Sequence, residues 1–317
     1  MDHEIQISEE ARKIEKAIHK IGKEIPALKS VMDAFKEIFI GRALFKAELS
    51  NLPDIHISPP DPFLFSQGLP LLTEKLLGSI VDPWETSIEF MIPHIEKGFP
   101  KIKPELRRLK AALAEGRLDL KGCMKTLLTG QGVTIDGIAQ TLQIQPLVLK
   151  FILEQLMKPF IEKTMEGLKP VIQDLPWHKG YCPLCGSLPE LSFLRGGEGQ
   201  RWLRCALCGY EWRFMRTKCP FCENDDHEKM ELYFLEDRGH ERAELCYQCN
   251  RYILNIDMRK CSEEVVTEVA AISMLYLDIL SQGKGFLPVA LCAWNVVAKG
   301  DISTWTGPFH KENGEKS

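Results

Sequence analysis

The chain has 317 residues, of which 44% are hydrophobic and 26% charged, and its formal net charge is -4. These values are typical of a globular protein that is long enough for more than one domain. A slight acidic excess argues against a protein whose whole surface binds polyanions. The N-terminus lacks a basic and apolar signal segment, and no apolar run is long enough for a membrane span. We therefore expect a cytoplasmic protein without a membrane span, whose cysteines stay reduced.

Residues 1–175 show helical patterns and no strand alternation. Ile14, Ile18 and Ile21 recur at helical spacing in the first such segment, and similar segments follow between prolines. The sequence predicts an all-α domain over 1–175. Two segments around 143–145 resemble a helix-turn-helix, but the second is too apolar to enter a DNA groove. We interpret them as an ordinary helical corner and expect the second helix to end before Pro159.

Eight of the eleven cysteines form four Cys-x-x-Cys pairs between residues 182 and 249. Two such pairs separated by about 15–20 residues are typical of a metal site with four thiolate ligands. The spacing therefore predicts two consecutive sites that hold two metal ions, iron or zinc, because both metals accept tetrahedral thiolate ligands. The first site consists of Cys182, Cys185, Cys205 and Cys208, and the second of Cys219, Cys222, Cys246 and Cys249.

Short runs of β-forming residues lie between the paired cysteines, and Gly196-Gly197-Glu198-Gly199 is typical of a hairpin turn. Each four-cysteine unit is too small to fold by apolar burial alone, so metal binding should be part of its folding free energy. The sequence predicts an α+β protein: a helical domain (1–175), two tandem rubredoxin-like or zinc-ribbon-like modules (176–216 and 217–259), and a C-terminal helix with a tail (260–317).

The residue after the second cysteine of each pair is expected to adopt a positive φ, because this turns backbone amides toward sulfur. Gly186 and Gly209 occupy this position in the first module, whereas Glu223 and Asn250 occupy it in the second. Glycine tolerates this conformation best and asparagine next. We therefore expect the two sites to differ, the second being the more labile.

A cluster of aromatic and basic residues lies in the first module and just beyond it. Trp and Arg are frequent anchors of protein interfaces, so the sequence predicts a partner-binding patch. Stacking of RNA bases and ordinary packing across strands are the alternatives. Residues 176–260 carry thirteen basic and thirteen acidic residues, and thiolate sites add negative charge, which makes nucleic acid an improbable ligand. The predicted patch is Arg201, Trp202, Arg204, Trp212 and Arg216.

The cysteine-rich region resembles the formate dehydrogenase accessory protein (FdhE) family. The resemblance lies in residues 177–189, 201–222 and 243–249 and in the helix that begins near Val265. It implies an accessory or maturation factor that carries rubredoxin-like sites, thought to bind iron, and associates with the catalytic subunit of formate dehydrogenase. The residues after Leu287, including Cys292, Trp294 and Trp305, have no counterpart in this resemblance.

We expect no enzymatic activity, because no catalytic constellation is visible and four cysteine ligands leave no open metal position. Two other functions remain open from the residues. One is a nucleic-acid-binding zinc ribbon, and the other is a redox-active iron protein.

Overall fold

The computed structural model describes residues 9–49, 57–72, 84–129 and 135–295. Within these ranges the chain is helical up to residue 172, as the sequence predicts. The helices are α1 (Glu9–Glu24), α2 (Lys29–Glu48), α3 (Pro62–Gln67), α4 (Trp84–Gly98), α5 (Lys103–Ala114), α6 (Leu120–Thr129), α7 (Ile135–Leu142) and α8 (Pro146–Ile172).

The helix α8 is longer than its sequence suggested, because it continues through Pro159 and Pro170. The expectation that it ends before Pro159 is wrong. Proline inside a helix costs about 3 kcal/mol, but Pro159 is itself buried and α8 packs against α2, α4 and α7. Burial of its apolar side chains on several faces compensates for the lost hydrogen bonds.

The cysteine-rich half forms one continuous sheet. Its strands are β1 (Pro189–Arg195), β2 (Gln200–Cys205), β3 (Glu211–Arg213), β4 (Met230–Tyr233), β5 (Glu241–Cys246), β6 (Arg251–Asp257) and β7 (Leu287–Pro288). The strand order is β3-β2-β1-β6-β5-β4, and β7 pairs with β6.

Within each module neighbouring strands are antiparallel, but the two modules join through the parallel pair β1 and β6, with Leu191 opposite Leu254. Each module therefore covers a strand edge that the other would otherwise expose. The α+β architecture is confirmed, whereas the domain boundaries at residues 175, 216 and 259 stay predictions.

Two short helices, α9 (Thr267–Ser273) and α10 (Leu275–Gly283), cover one face of the sheet. The sequence predicts a single helix here, but the chain bends at Met274, whose φ is -99° and ψ 20°. Ser273 donates its hydroxyl to the carbonyl of Ala270 at 2.8 Å, a local bond that competes with regular helix geometry. Both helices pack on a core that includes Phe193 of the central strand β1.

The residues that follow β7 attach the sheet to the helical half. The ring of Trp294 lies 5.9 Å from that of Phe35 and 6.4 Å from that of Phe39, both on α2. Cys292 is buried, whereas Trp305 lies outside the described residues. The described part of this tail is therefore a structural tie between the two halves. Within the described ranges, none of the helices has the length and apolar content to cross a membrane.

Candidate metal centres

The four cysteines of the first module converge on one point. The Sγ of Cys185 lies 3.5 Å from that of Cys205 and 3.6 Å from that of Cys208, and Cys182 lies 3.7 Å from Cys208. Four sulfurs about 2.3 Å from a tetrahedral metal are separated by about 3.8 Å. The observed spacing therefore fits a tetrathiolate-bound ion.

The second module repeats this arrangement. The Sγ atoms of Cys219 and Cys249 are 3.8 Å apart, and those of Cys222 and Cys246 are 3.7 Å apart. Each group of four has all its sulfurs within 4.8 Å of one another. The pairing of the eight cysteines into two groups is thus the one that the spacing predicts, and either group could hold a metal ion.

All four Cys-x-x-Cys turns share one backbone conformation. The residue after the second cysteine has φ of 75° at Gly186, 66° at Gly209, 60° at Glu223 and 53° at Asn250. Its N–H donates to the carbonyl of the first cysteine in three turns, for example from Gly186 to Cys182 at 2.9 Å. The geometry of the turn is therefore imposed on Glu223 and Asn250 as well, at a cost in backbone strain that glycine avoids.

Backbone amides also face the sulfurs. The N–H groups of Leu207 and Cys208 point at the Sγ of Cys205, at 3.4 and 3.5 Å. Such donors stabilise thiolate charge around a bound ion. The donor set and its surroundings therefore fit a cation at the first site.

The thiols differ in their readiness to ionise. Burial raises the pKa of Cys182 well above the usual thiol range. Burial also opposes ionisation of Cys185, but hydrogen bonds from the neighbouring thiols lower its pKa well below that range. At the second site a hydrogen bond from Cys249 lowers the pKa of Cys219 to about 5, whereas partial desolvation of its sulfur raises that of Cys222 to about 11. Metal binding at either site must therefore release protons and depend on pH.

The two sites differ strongly in exposure. All four cysteines of the first site are buried, whereas in the second Cys222 is exposed and Cys249 half-buried. The prediction that the sites differ rested on the turn residues, yet the turns are alike. The difference comes from what packs on each site.

A segment of the helical half covers the first site. The backbone N–H groups of Leu71 and Leu72 donate to the carbonyls of Pro183 and Leu184 inside the first cysteine turn, both at 2.8 Å. The hydroxyl of Tyr181 donates to the carbonyl of Gly68 at 2.8 Å. No sequence pattern marked 68–72 as a partner of the cysteine turn, because these bonds use backbone atoms.

The two sites are also in contact with each other. Gly180, just before the first site, packs against Pro220 inside the third cysteine turn, and a Cβ at Gly180 would lie 1.9 Å from the Pro220 carbonyl oxygen. A side chain at this position would force the turn of the second site to move. Glycine at 180 is therefore required for the two sites to sit side by side.

The comparisons with known proteins agree with this architecture. A family model for the central domain of FdhE matches residues 181–216. The FdhE homologue of Aquifex aeolicus is 32% identical over 145 residues, which are 45% of this chain and 50% of that protein. The FdhE homologue of Haemophilus influenzae strain PittEE is 38% identical over 111 residues, 33% of this chain and 35% of that protein.

The crystal structure of FdhE from Pseudomonas aeruginosa matches with a TM-score of 0.66 and 20% identity, and the match covers 92% of this chain and 97% of that one. The chain is thus similar to FdhE proteins in sequence over its cysteine-rich part and in fold over most of its length. The FdhE fold extends over nearly the whole chain, although the aligned sequence spans only half of the Aquifex protein and about a third of the Haemophilus protein.

The predicted patch is not an exposed surface in this structure. Arg201 is 2% exposed, Trp212 4% and Arg204 5%. Successive residues of a strand point to opposite faces, so Arg201 contacts Glu244 on one face while Arg204 contacts Glu268 of α9 on the other. These side chains therefore do not form one surface, and the interpretation of the three buried ones as exposed anchors is wrong.

Each buried arginine has an acidic partner that the sequence did not identify. Arg204 pairs with Glu190 of β1 and, at 3.0 Å, with Glu268. Trp202 is half-buried beneath Arg195, whose guanidinium lies 3.5 Å from its ring centroid, and Arg216 is exposed. Glu244 and Glu268 are distant in sequence from the arginines that they contact, which is why the local cluster was interpreted as an exposed surface.

Arg201 connects the two modules. Its guanidinium donates to Ser192 at 2.8 Å, to the Lys218 carbonyl at 2.7 Å and to the carboxylate of Glu244 on β5. Lys218 directly precedes the first ligand of the second site. This side chain thus fixes the linker between the two cysteine groups against the sheet.

Proposed function

We propose that the protein is an accessory factor needed to form active formate dehydrogenase, acting in the cytoplasm by binding the catalytic subunit of that enzyme. The observation that carries the proposal is the similarity of the chain to FdhE proteins in sequence and fold, with the first cysteine group inside the stretch that matches the FdhE central domain. The expectation from the sequence that the protein has no enzymatic activity of its own is part of the same proposal.

The chemistry of the cysteine groups supports a binding role. Four thiolates complete a tetrahedral coordination shell, so a bound ion keeps no position for substrate. The ion would instead fix the cysteine turns and contribute to folding. The residues that would hold it are Cys182, Cys185, Cys205 and Cys208 at one site and Cys219, Cys222, Cys246 and Cys249 at the other.

The test uses a bacterial strain that lacks its own FdhE and has inactive formate dehydrogenase. The full chain is expected to restore formate-dependent dye reduction, and the tagged chain to co-purify with the catalytic subunit. Cys182→Ser with Cys185→Ser should abolish both, because the first site joins the sheet to the helical half.

Cys123→Ser is the matched control, since this buried cysteine lies on α6 and belongs to neither group of four. Absence of co-purification together with unrestored activity, in a chain that is expressed and loaded with metal, refutes the proposal.

A redox role at the second site is a second candidate. The exposure of Cys222 favours it, because an ion close to solvent is accessible to an electron-transfer partner. Iron bound by four thiolates would supply a one-electron couple, whereas zinc has no redox chemistry. Anaerobically purified protein should then be red when oxidised and bleach on reduction, and colourless zinc-loaded protein that restores full formate dehydrogenase activity contradicts this candidate.

A further inference from the structure

The sheet ends at β4 on the side of the second module. This strand has the sequence Met-Glu-Leu-Tyr and pairs with β5 in regular register. It contains no proline, lysine or bulge, which are common protections of an edge strand. Its backbone is therefore available for pairing with another strand.

The hydrogen-bond pattern identifies the free groups. The Lys229 carbonyl accepts from the Tyr247 N–H at 2.9 Å, and bonding alternates along an antiparallel pair. Glu231 and Tyr233 therefore bond to β5, while the N–H and C=O of Leu232 point away from the sheet. No backbone partner for Leu232 occurs among the described residues.

Apolar side chains accompany this edge. Leu232 is 51% exposed, Phe234 47% and Leu235 37%. Leu232 and Phe234 are two residues apart and so project to the same side of the extended chain. Exposed apolar side chains beside a free strand edge are the features used to bind an extended peptide.

The surroundings of β4 are acidic. Six exposed carboxylates flank the strand, and between Cys219 and Cys249 nine acidic residues face three basic ones. The cations that lie beside β4 are already paired, Lys229 with Asp226 at 3.9 Å, Arg238 with Glu241 at 2.8 Å and Lys284 with Glu231 at 3.4 Å. The flanking carboxylates are Glu223, Asp225, Asp226, Glu228, Glu236 and Asp237.

We propose that the β4 edge is a docking site for an extended segment of a partner protein that carries both basic and apolar side chains. The segment adds a strand to the sheet through the backbone of Leu232. Its apolar side chains lie against Leu232 and Phe234, and its basic side chains face the flanking carboxylates. Where the partner is the formate dehydrogenase catalytic subunit, the inference rests on the function proposed above.

The opposite edge of the sheet lacks these features. In β3, Trp212 is buried and donates to the Lys179 carbonyl at 3.1 Å. Glu211 is held by Arg195 at 3.1 Å and by Thr267 at 3.0 Å. Two of the three side chains of β3 are therefore engaged inside the protein, and the third, Arg213, is an exposed cation rather than an apolar side chain. The docking features belong to the second module alone.

The direct test uses a short fluorescent peptide in which arginine and valine alternate. Fluorescence anisotropy measures the binding of this peptide to the full metal-loaded chain. A peptide with glutamate in place of arginine is the charge control. Leu232→Pro removes the outward N–H, which β5 does not use, and proline is tolerated at such edge positions. Leu232→Ala removes the side chain but keeps the N–H, and Leu232→Arg adds a cation to the acidic rim.

We expect the basic peptide to bind, more weakly as salt is added, and the acidic peptide not to bind. Leu232→Pro should weaken binding by about tenfold or more, and Leu232→Ala by less, because only the former also loses a backbone hydrogen bond. Leu232→Arg should also weaken binding and keeps the proposal testable if the proline variant unfolds. Leu147→Ala, which alters a leucine of 43% exposure on α8, should bind like the wild type.

Equal binding of both peptides, or unchanged binding by Leu232→Arg and Leu232→Pro, overturns the proposal. So does a dimer of the wild type that Leu232→Pro converts to monomer, since the edge then pairs with a second copy.

If the catalytic subunit co-purifies equally with wild type and Leu232→Pro, this docking site is wrong while the proposed function stands. If the peptide result holds but no catalytic subunit binds, the proposed function fails and the peptide-binding edge stands.

Discussion

Replacing Arg201 tests whether its buried ion pair holds the two modules together. The side chain is 0% exposed and that of Glu244 10%, so Arg201→Met leaves a carboxylate buried without its partner. Removal of one member of a buried pair costs about 3–5 kcal/mol. The Lys218 carbonyl also loses its donor, at 2.7 Å in the structure. Against a typical total of about 5–15 kcal/mol, this is a substantial fraction of the stability.

Urea unfolding of the metal-loaded protein, followed by tryptophan fluorescence, measures this loss. With a slope of about 3 kcal/mol per molar urea, the midpoint should fall by more than about 1 M. The double variant Arg201→Met with Glu244→Leu should recover at least about 2 kcal/mol of the loss, because an apolar pair leaves no buried charge. A single variant that costs less than about 1 kcal/mol, or a double variant that is no better than the single, refutes this account.

The pH dependence of the same variant provides an independent check. Burial already raises the pKa of Glu244, although Arg201 lowers it, so without Arg201 the pKa in the folded protein rises further. A carboxyl group whose pKa is higher in the folded than in the unfolded protein destabilises the folded state when it is ionised, and this destabilisation disappears when it is protonated. The penalty of Arg201→Met should therefore shrink as the pH falls through the raised pKa of Glu244. A penalty that does not vary between neutral and acidic pH contradicts the buried carboxylate as its cause.

Three further predictions concern the turns, the metals and a buried carboxyl. Glu223→Gly relieves the backbone strain of a positive φ of 60° and should stabilise the metal-loaded second site by up to about 1 kcal/mol. The gain is limited because glycine has greater conformational freedom in the unfolded chain. A lower resistance of the variant to urea contradicts this prediction. A chelator should remove metal from the second site first, because Cys222 is exposed. We expect metal release to follow two phases in the wild type and one phase in Cys222→Ser. Equal release rates at both sites contradict this prediction. Burial raises the pKa of Asp278 to about 7, so the protein should lose about 4 kcal/mol from this group between about pH 4 and 7. Asp278→Asn should remove that slope, and an unchanged slope in thermal or urea unfolding contradicts it.

The cysteine groups were predictable because their signal is local. Two cysteines three residues apart lie on one turn, and the length of the hairpin brings two turns together. The positive φ at Glu223 was likewise predictable from its position after Cys222, although its side chain gave no sign of it. The four turns are alike because backbone hydrogen bonding to sulfur and carbonyl sets the conformation.

The arginine and tryptophan cluster was misjudged because its partners are distant in sequence. Glu244 lies 43 residues from Arg201, and Glu268 lies 64 residues from Arg204. Strand parity then places these two arginines on opposite faces of the sheet, where each is buried by a different partner. A sequence pattern can show that arginines are close together, but only the register of the sheet shows which carboxylates meet them.

The union of the modules in one sheet was also beyond the local pattern. It depends on parallel pairing of β1 with β6, where Leu191 lies opposite Leu254. Each module by itself has a plausible three-stranded fold, so no local pattern in one module indicates that it pairs with the other. The reason for the pairing is that β1 and β6 would otherwise each leave an exposed strand edge.

The unequal burial of the two sites follows from where charge and backbone contacts lie. Residues 68–72 of the helical half bond to the first cysteine turn, and the segment between Cys182 and Cys208 carries three arginines against two glutamates. The segment between Cys219 and Cys249 carries nine acidic residues against three basic ones, and one of its ligands is exposed. Burying so many carboxylates would require a cationic or hydrogen-bonding partner for each of them. The first site therefore joins the two halves of the molecule, while the second remains at the surface beside a strand edge whose charges select a basic partner.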